Sequence, residues 1–362
     1  MNVNLSPKKQ GVRTEESLGP GDEDKIKDTA LTRRLLMSQI HSIYDPLGLL
    51  SPITIKYKLV LQELVQAQVG WDEPLEGELK KKAETALIEM ARSSSISFPR
   101  CVLGEQYNVK PGWMLIGFWD GGNKASACCL YARTPLKEKG SGGETHQVRL
   151  LAAKARVTPS SSTQGRLRDS TPRVEMRGLL MLTRLVDELL PGIQVPPTEI
   201  MLMGDSQCTI ACVEADDRVL DTWFSDRVAE VQDRIDTWNR KDIEVRELYY
   251  WPGVSNVADL PTKGQAEVCD VVEGSEWQNG PKETRFPEEQ WPISRDFVRK
   301  VPEEEKRAAI HGVHQTLSVP SEGVESLPGR EGPNTTSQEG TEVPAGGEGC
   351  EAPQQGEETE AG

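Results

Sequence analysis

The chain has 362 residues, 36% of them hydrophobic, and a formal net charge of −15, which allows one or two domains with a real core over part of the length. The charge is uneven. Residues 265–362 hold 21 acidic and 8 basic residues, whereas residues 31–264 hold 30 and 29, so the overall acidity does not exclude a nucleic-acid-binding centre. Seven cysteines without a paired framework point to a reduced, intracellular protein. No run of eighteen apolar residues occurs and the polar N-terminus has no secretory core, so neither membrane insertion nor secretion is expected.

Residues 1–30 are polar and read as loose. A helical segment is predicted over 31–100. Leu35, Leu36, Ile40 and Ile43 keep helical spacing until Asp45-Pro46 breaks it. A second helix follows Ser51-Pro52, with Ser51 as its cap, to about Val69, and a third, polar helix covers Glu76 to Arg92.

From Gly112 the period shortens. "GWMLIGFWD", "ASACCLYAR" and "HQVRLLAAKARV" read as three strands, the first two separated by Gly121, Gly122 and Asn123. A long helix from Pro172 to Leu190 comes next, then the short buried strand in "EIMLMGDSQ", helices over Gln207 to Val213 and Asp221 to Arg240, a fifth strand in "IEVRELYYW", and a terminal helix near Asn256 to Lys263. This order predicts a mixed α/β domain over 111–265, a linker over 266–300 and a disordered acidic tail over 301–362.

Four carboxylates stand at informative points. Asp120 closes the first strand, where Asp-Gly also suits a hairpin turn. Asp205 closes the fourth strand, where it or Ser206 could instead cap the helix that begins near Gln207. Glu175 shares a helix face with Leu179, Leu182, Val186 and Leu189, a costly place for a lone charge, although the helix dipole also favours an acid in a first turn. Asp259 lies inside the last short helix, where it could simply be an acid near a helix start. Together the four could converge on one sheet edge. Clustered carboxylates cannot all stay ionised without cations, and an all-oxygen set suits Mg²⁺ or Mn²⁺. Two such ions, about 3.5 to 4 Å apart, support phosphodiester hydrolysis.

The motifs "LTRRLLMSQIHSIYDPLGLLSPITIKYK", "GWDEPL", "FWDGG", "LLAAKARVTP", "TPRVEMRGLL", "LMGDSQ", "FSDRVAEV", "GVSNVADLPTKG" and "EWQNGP" stand in one order along the chain. In that order the chain resembles a fragment of a BEL/Pao-type retrotransposon Pol polyprotein, from the end of the reverse transcriptase through its ribonuclease H-like domain. The resemblance implies a five-stranded ribonuclease H-like mixed sheet flanked by helices. It also implies two-metal cleavage of the RNA strand of RNA/DNA hybrids during reverse transcription. Asp120, Glu175, Asp205 and Asp259 would bind the two metal ions. The RNA/DNA hybrid, and other parts of the Pol polyprotein, would be partners. Lys154, Arg156 and Arg173 flank the site and are candidate phosphate contacts, or ordinary surface charge.

The chain departs from the family pattern in places. Gly121-Gly122 replaces the usual Ala-Ser, "SSSTQGRLRDS" lengthens a loop, and Val257 replaces the usual proline before Ala258-Asp259. No histidine lies between His146 and His311, so the mobile histidine of many ribonucleases H is missing. Asp216-Asp217 lacks the aromatic flank of a polymerase hairpin and reads as a solvated helix end. His311 and His314 have no Cys-x-x-Cys after them, so zinc is not expected. Neither Asp-Thr-Gly nor Asp-Ser-Gly occurs, which argues against an aspartic peptidase. The alternative to a nuclease is an inactive or nucleic-acid-binding remnant of the same fold.

Overall fold

A computed structural model describes residues 23–103, 112–138, 140–159, 170–214 and 220–294. The readings at Asp216-Asp217, at His311 and His314, over most of "SSSTQGRLRDS" and over the tail 301–362 lie outside the described residues.

Four helices come first: α1 (Glu23–Asp28), α2 (Arg33–Ser42), α3 (Ser51–Gln66) and α4 (Gly77–Ser93). They share a core of their own around Leu36, Tyr57, Leu64, Leu87 and Met90, with Ile26 of α1 buried in it. Ser51 does not cap α3. Leu50 holds the cap position and Ser51 is the first helical residue. In the turn that leads into the helix the Asp45 carboxylate accepts from Leu49 N at 2.9 Å and Leu50 N at 2.8 Å, while Ser51 N donates to Gly48 O. Gly48, at φ 68°, lets the chain turn so that Asp45 reaches the residues just before α3.

The sheet follows. β1 (Met114–Gly121), β2 (Ala125–Pro135) and β3 (His146–Val157) form an antiparallel meander, and β4 (Glu199–Gly204) lies parallel to β1 on its other side. The alternation along these strands divides two cores. Leu115, Trp119, Leu130, Ile200 and Leu202 face one cluster, while Ile116, Phe118, Tyr131, Met201 and Met203 face the other. The first cluster is covered by α5 (Thr171–Leu189), α6 (Gln207–Glu214) and α7 (Thr222–Asn239). The Asp221 side chain caps α7 by accepting from Phe224 N at 2.9 Å.

The sheet has six strands rather than the expected five, because "IEVRELYYW" is interrupted. β5 (Glu244–Val245) pairs Val245 with Ile200, and β6 (Tyr249–Tyr250) pairs Tyr249 with Met203. One strand therefore advances one residue further than the other between the two pairs, and the ladder breaks there. Arg246 sits in the break, its guanidinium donating to Glu199 at 2.7 Å and to Glu288 at 2.5 Å.

The chain then runs through α8 (Asp259–Lys263) and α9 (Glu276–Asn279). The stretch read from sequence as a linker, 266–300, is described as far as Ser294 and packs on the second face of the sheet. Trp277 and Trp291 are buried there, apolar anchors that a polar-rich sequence disguises. Trp277 Nε1 donates to Leu49 O at 2.7 Å, and the Arg133 guanidinium, buried against the Trp291 ring, donates to Thr284 O at 2.9 Å and Phe286 O at 3.1 Å.

α3 joins the helical segment to the sheet. Gln62 Nε2 donates to Thr158 O at 2.8 Å, Lys56 Nζ donates to Ala266 O at 2.8 Å, and Ile55 packs on Ala125, Ala127 and Ala155. Among the described residues no helix is long and apolar enough to cross a membrane.

Candidate metal centre

β1 and β4 end side by side. Their parallel register runs to Trp119 opposite Gly204, which sets Asp120 and Asp205 one step further along adjacent strands. Asp120 is still within β1, opposite Ala127 of β2, so it is a strand residue and not part of the hairpin turn. Asp205 does not cap α6. Ser206 Oγ accepts from Thr209 N at 3.3 Å, which leaves the Asp205 side chain for other work.

Glu175 reaches the same edge from α5, beyond the first turn of that helix. Two glycines permit the close approach. A Cβ on Gly121 would stand 2.4 Å from Glu175 N, and one on Gly178 would stand 2.7 Å from Asp120 O. Helix and strand backbones therefore touch where the acids meet.

The outcome is a group of three. One carboxylate oxygen from each of Asp120, Glu175 and Asp205 lies within 4.8 Å of the others. Asp259 is not part of this group. It opens α8 and its carboxylate takes the ammonium of Lys263, four residues on, although its charge is still felt by all three acids.

The electrostatics are those of a crowded anionic pocket. Burial pushes the Glu175 carboxyl up to about 9, with the charges of Asp120 and Asp205 adding to it. Burial likewise raises Asp120 to about 6, against a hydrogen bond from Thr262 that favours the ionised form. Asp205 is raised by burial too. Glu175 Oε2 is buried and has no hydrogen-bond partner among the described residues. Such an atom is expensive unless protonated or bound to a cation. Three carboxylates and no sulfur or nitrogen make a hard oxygen donor set that fits Mg²⁺ or Mn²⁺.

Two supporting residues escaped the sequence reading. Thr262 Oγ1 donates to Asp120 Oδ2, and buried Asn256 donates through Nδ2 to Trp119 O at 3.0 Å and to Asp205 Oδ1 at 3.4 Å. Their signal was in "SNVADLPTKG". Thr262 falls three residues after Asp259, one helical turn on.

The expected phosphate contacts fare unequally. Lys154 is held by Glu188 at 3.0 Å, and Arg173 pairs with Asp221 at 3.6 Å while lying over the Trp223 ring. Arg156 is exposed. It lines a cavity of about 330 Å³ with Lys154, Arg177, Arg184 and Arg227, between β3 and α5.

Residues 32–206 match the family model described as a Pao retrotransposon-like RNaseH-like domain. That segment is similar to this family. The Pao-like span contains Asp120, Glu175 and Asp205 and ends before Asn256, Asp259 and Thr262. No curated protein sequence matches the chain. Among solved structures, the chain is similar to an N-terminal RNase H domain from Mycobacterium tuberculosis solved as a fusion with maltose binding protein. Identity is 15%, the match covers 42% of this chain and 99% of that one, and the TM-score is 0.27. RNase H1 from Halobacterium salinarum is 14% identical over 40% of this chain and 89% of its own, with a TM-score of 0.23. A foamy viral protease-reverse transcriptase in complex with double-stranded DNA is 10% identical, with a TM-score of 0.31. It is matched over 69% of this chain, which spans 37% of that protein.

Proposed function

We propose that this Pao-like domain is a metal-dependent nuclease of ribonuclease H type that hydrolyses the RNA strand of RNA/DNA hybrids. The observation that carries the reading is the convergence of Asp120, Glu175 and Asp205 within 4.8 Å at the end of two parallel strands. Divalent ions bound there would activate water and stabilise the leaving oxygen of a phosphodiester. Asp120 and Asp205, on adjacent strand ends, would hold the ions together with Glu175, and Asp259 would complete the set. Thr262 and Asn256 orient Asp120 and Asp205, each through one hydrogen bond. The basic cavity beside β3, with Arg156 and Lys154, offers phosphate contacts next to the site, and Arg173 offers another at the start of α5.

The test is cleavage of a labelled RNA/DNA hybrid by the full chain with and without Mg²⁺, beside Asp205→Asn. Metal-dependent cutting of the RNA strand by the wild type alone is expected. Equal cutting by both proteins would sink the reading of this site as the nuclease centre, and binding of the hybrid without cutting would favour an inactive remnant instead.

A further inference from the structure

Three of the four acids meet, and the fourth is engaged elsewhere. Asp259 lies on the first turn of α8 with its carboxylate on the Lys263 ammonium, whose side chain is 64% exposed against 24% for Asp259. The contact is local, between residues four apart on one short helix, so either side chain can leave it without moving the backbone. The ammonium also has somewhere to go. Lys263 and Asp259 line an open cavity of about 390 Å³ on whose wall Asp270 and Glu276 provide two more carboxylates.

We propose that Lys263 is a displaceable counter-cation that keeps Asp259 out of the carboxylate group until a divalent ion draws it in, the ammonium then swinging into the adjoining cavity toward Asp270 and Glu276. The inference rests on the metal reading of the site and adds how its last ligand is controlled. Asp259 shares its helix turn with Thr262, which bonds both Asp120 and Asp259 O, so its negative charge adds to that of the three acids. Neutralising it with a tethered lysine lowers the cost of the ion-free site, and any cation that claims Asp259 must compete with that tether.

Competition makes the effect specific to Asp259. Mn²⁺ is titrated into the full chain and the free ion is read by electron paramagnetic resonance for wild type, Lys263→Met, Lys263→Arg, and Lys263→Met combined with Asp259→Asn. Lys263→Met is expected to tighten the weaker-binding ion on the order of two- to fivefold, the scale of a part-exposed ion pair, with less effect on the tighter one. Lys263→Arg should bind Mn²⁺ as the wild type does. In the Asp259→Asn background the gain should vanish, because the pair no longer exists. Unchanged affinity in Lys263→Met overturns the proposal, and so does a gain that persists without Asp259, which would mark a general field effect. A wild-type chain that takes up no Mn²⁺ overturns the metal centre itself, a result distinct from binding that ignores Lys263.

Discussion

Gly121 and Glu175 meet backbone to backbone: a Cβ at Gly121 would stand 2.4 Å from Glu175 N and 2.5 Å from Glu175 Cα. The start of α5 can lie on the end of β1 only because position 121 lacks a side chain. Gly121→Ala should therefore force the helix outward, costing about 1–3 kcal/mol as an overpacked site. Chemical denaturation measures the cost. Because Glu175 would be carried away from Asp120, the variant should also lose most of its stabilisation by Mg²⁺.

The ion-free domain should lose stability as pH rises. Glu175 has a folded value of about 9 against an ordinary 4.5, and Asp120 about 6 against 3.8, so the folded state holds protons that the unfolded chain releases. Their contribution is present below about pH 4 and fades as pH climbs through 6 and then 9. Thermal unfolding in a chelator across pH 5 to 9 should show a falling midpoint, and saturating Mg²⁺ should flatten the fall. A midpoint that rises over that range in the chelator would contradict the assignment.

Removing one charge from the cluster should help the empty fold and harm the loaded one. Asp205→Asn relieves repulsion with Asp120 and Glu175, and a gain on the order of 1 kcal/mol would raise the ion-free midpoint by about 2–4 °C. The same variant should gain little from Mg²⁺, whereas a wild-type site at a hundred times its dissociation constant gains about 2.7 kcal/mol. Paired melting curves with and without Mg²⁺ read both effects.

Trp277 is buried at 1% exposure, and its ring nitrogen donates to Leu49 O. Trp277→Ala should cost about 3–5 kcal/mol. The loss should appear as one cooperative transition, because the tryptophan bridges the helical segment and the sheet. A separate early transition would mean that residues 266–294 dock independently.

Among the basic residues, Arg156 should matter most for binding a hybrid. It is exposed beside the site, while Lys154 is engaged by Glu188 and Arg173 by Asp221. Arg156→Ala should weaken binding of uncut hybrid in Ca²⁺ and reduce the salt slope by about one. Lys154→Ala and Arg173→Ala should each change the slope less, as fluorescence anisotropy at several salt concentrations can measure.

Much of the fold was legible in the sequence because its signals are local and periodic. The strands at Met114, Ala125 and His146 and the long helix from Thr171 carry alternation or helical spacing that burial on a sheet requires. What was not legible depends on distant partners. The break between β5 and β6 shows only in register against β4, and the bonds from Leu49 and Leu50 to Asp45 form through a glycine turn. The packing of residues 266–294 rests on a few tryptophans in a polar stretch, where no periodicity marks them. At the site, strand-end aspartates and a core-facing glutamate stand out by position. Thr262 and Asn256 look like ordinary turn residues until the strand they touch is known.

The bonds from Gln62 to Thr158 and from Lys56 to Ala266 bear on how such a gene can be cut down. A boundary drawn at Gly112, just before the strands begin, would strip Leu49, Leu50, Ile53 and Phe98 from one face of the sheet and leave that part of it uncovered. The helical segment that precedes the strands is thus foundation masonry for the sheet. A shortened gene that still encodes a soluble, cooperative sheet must carry them along.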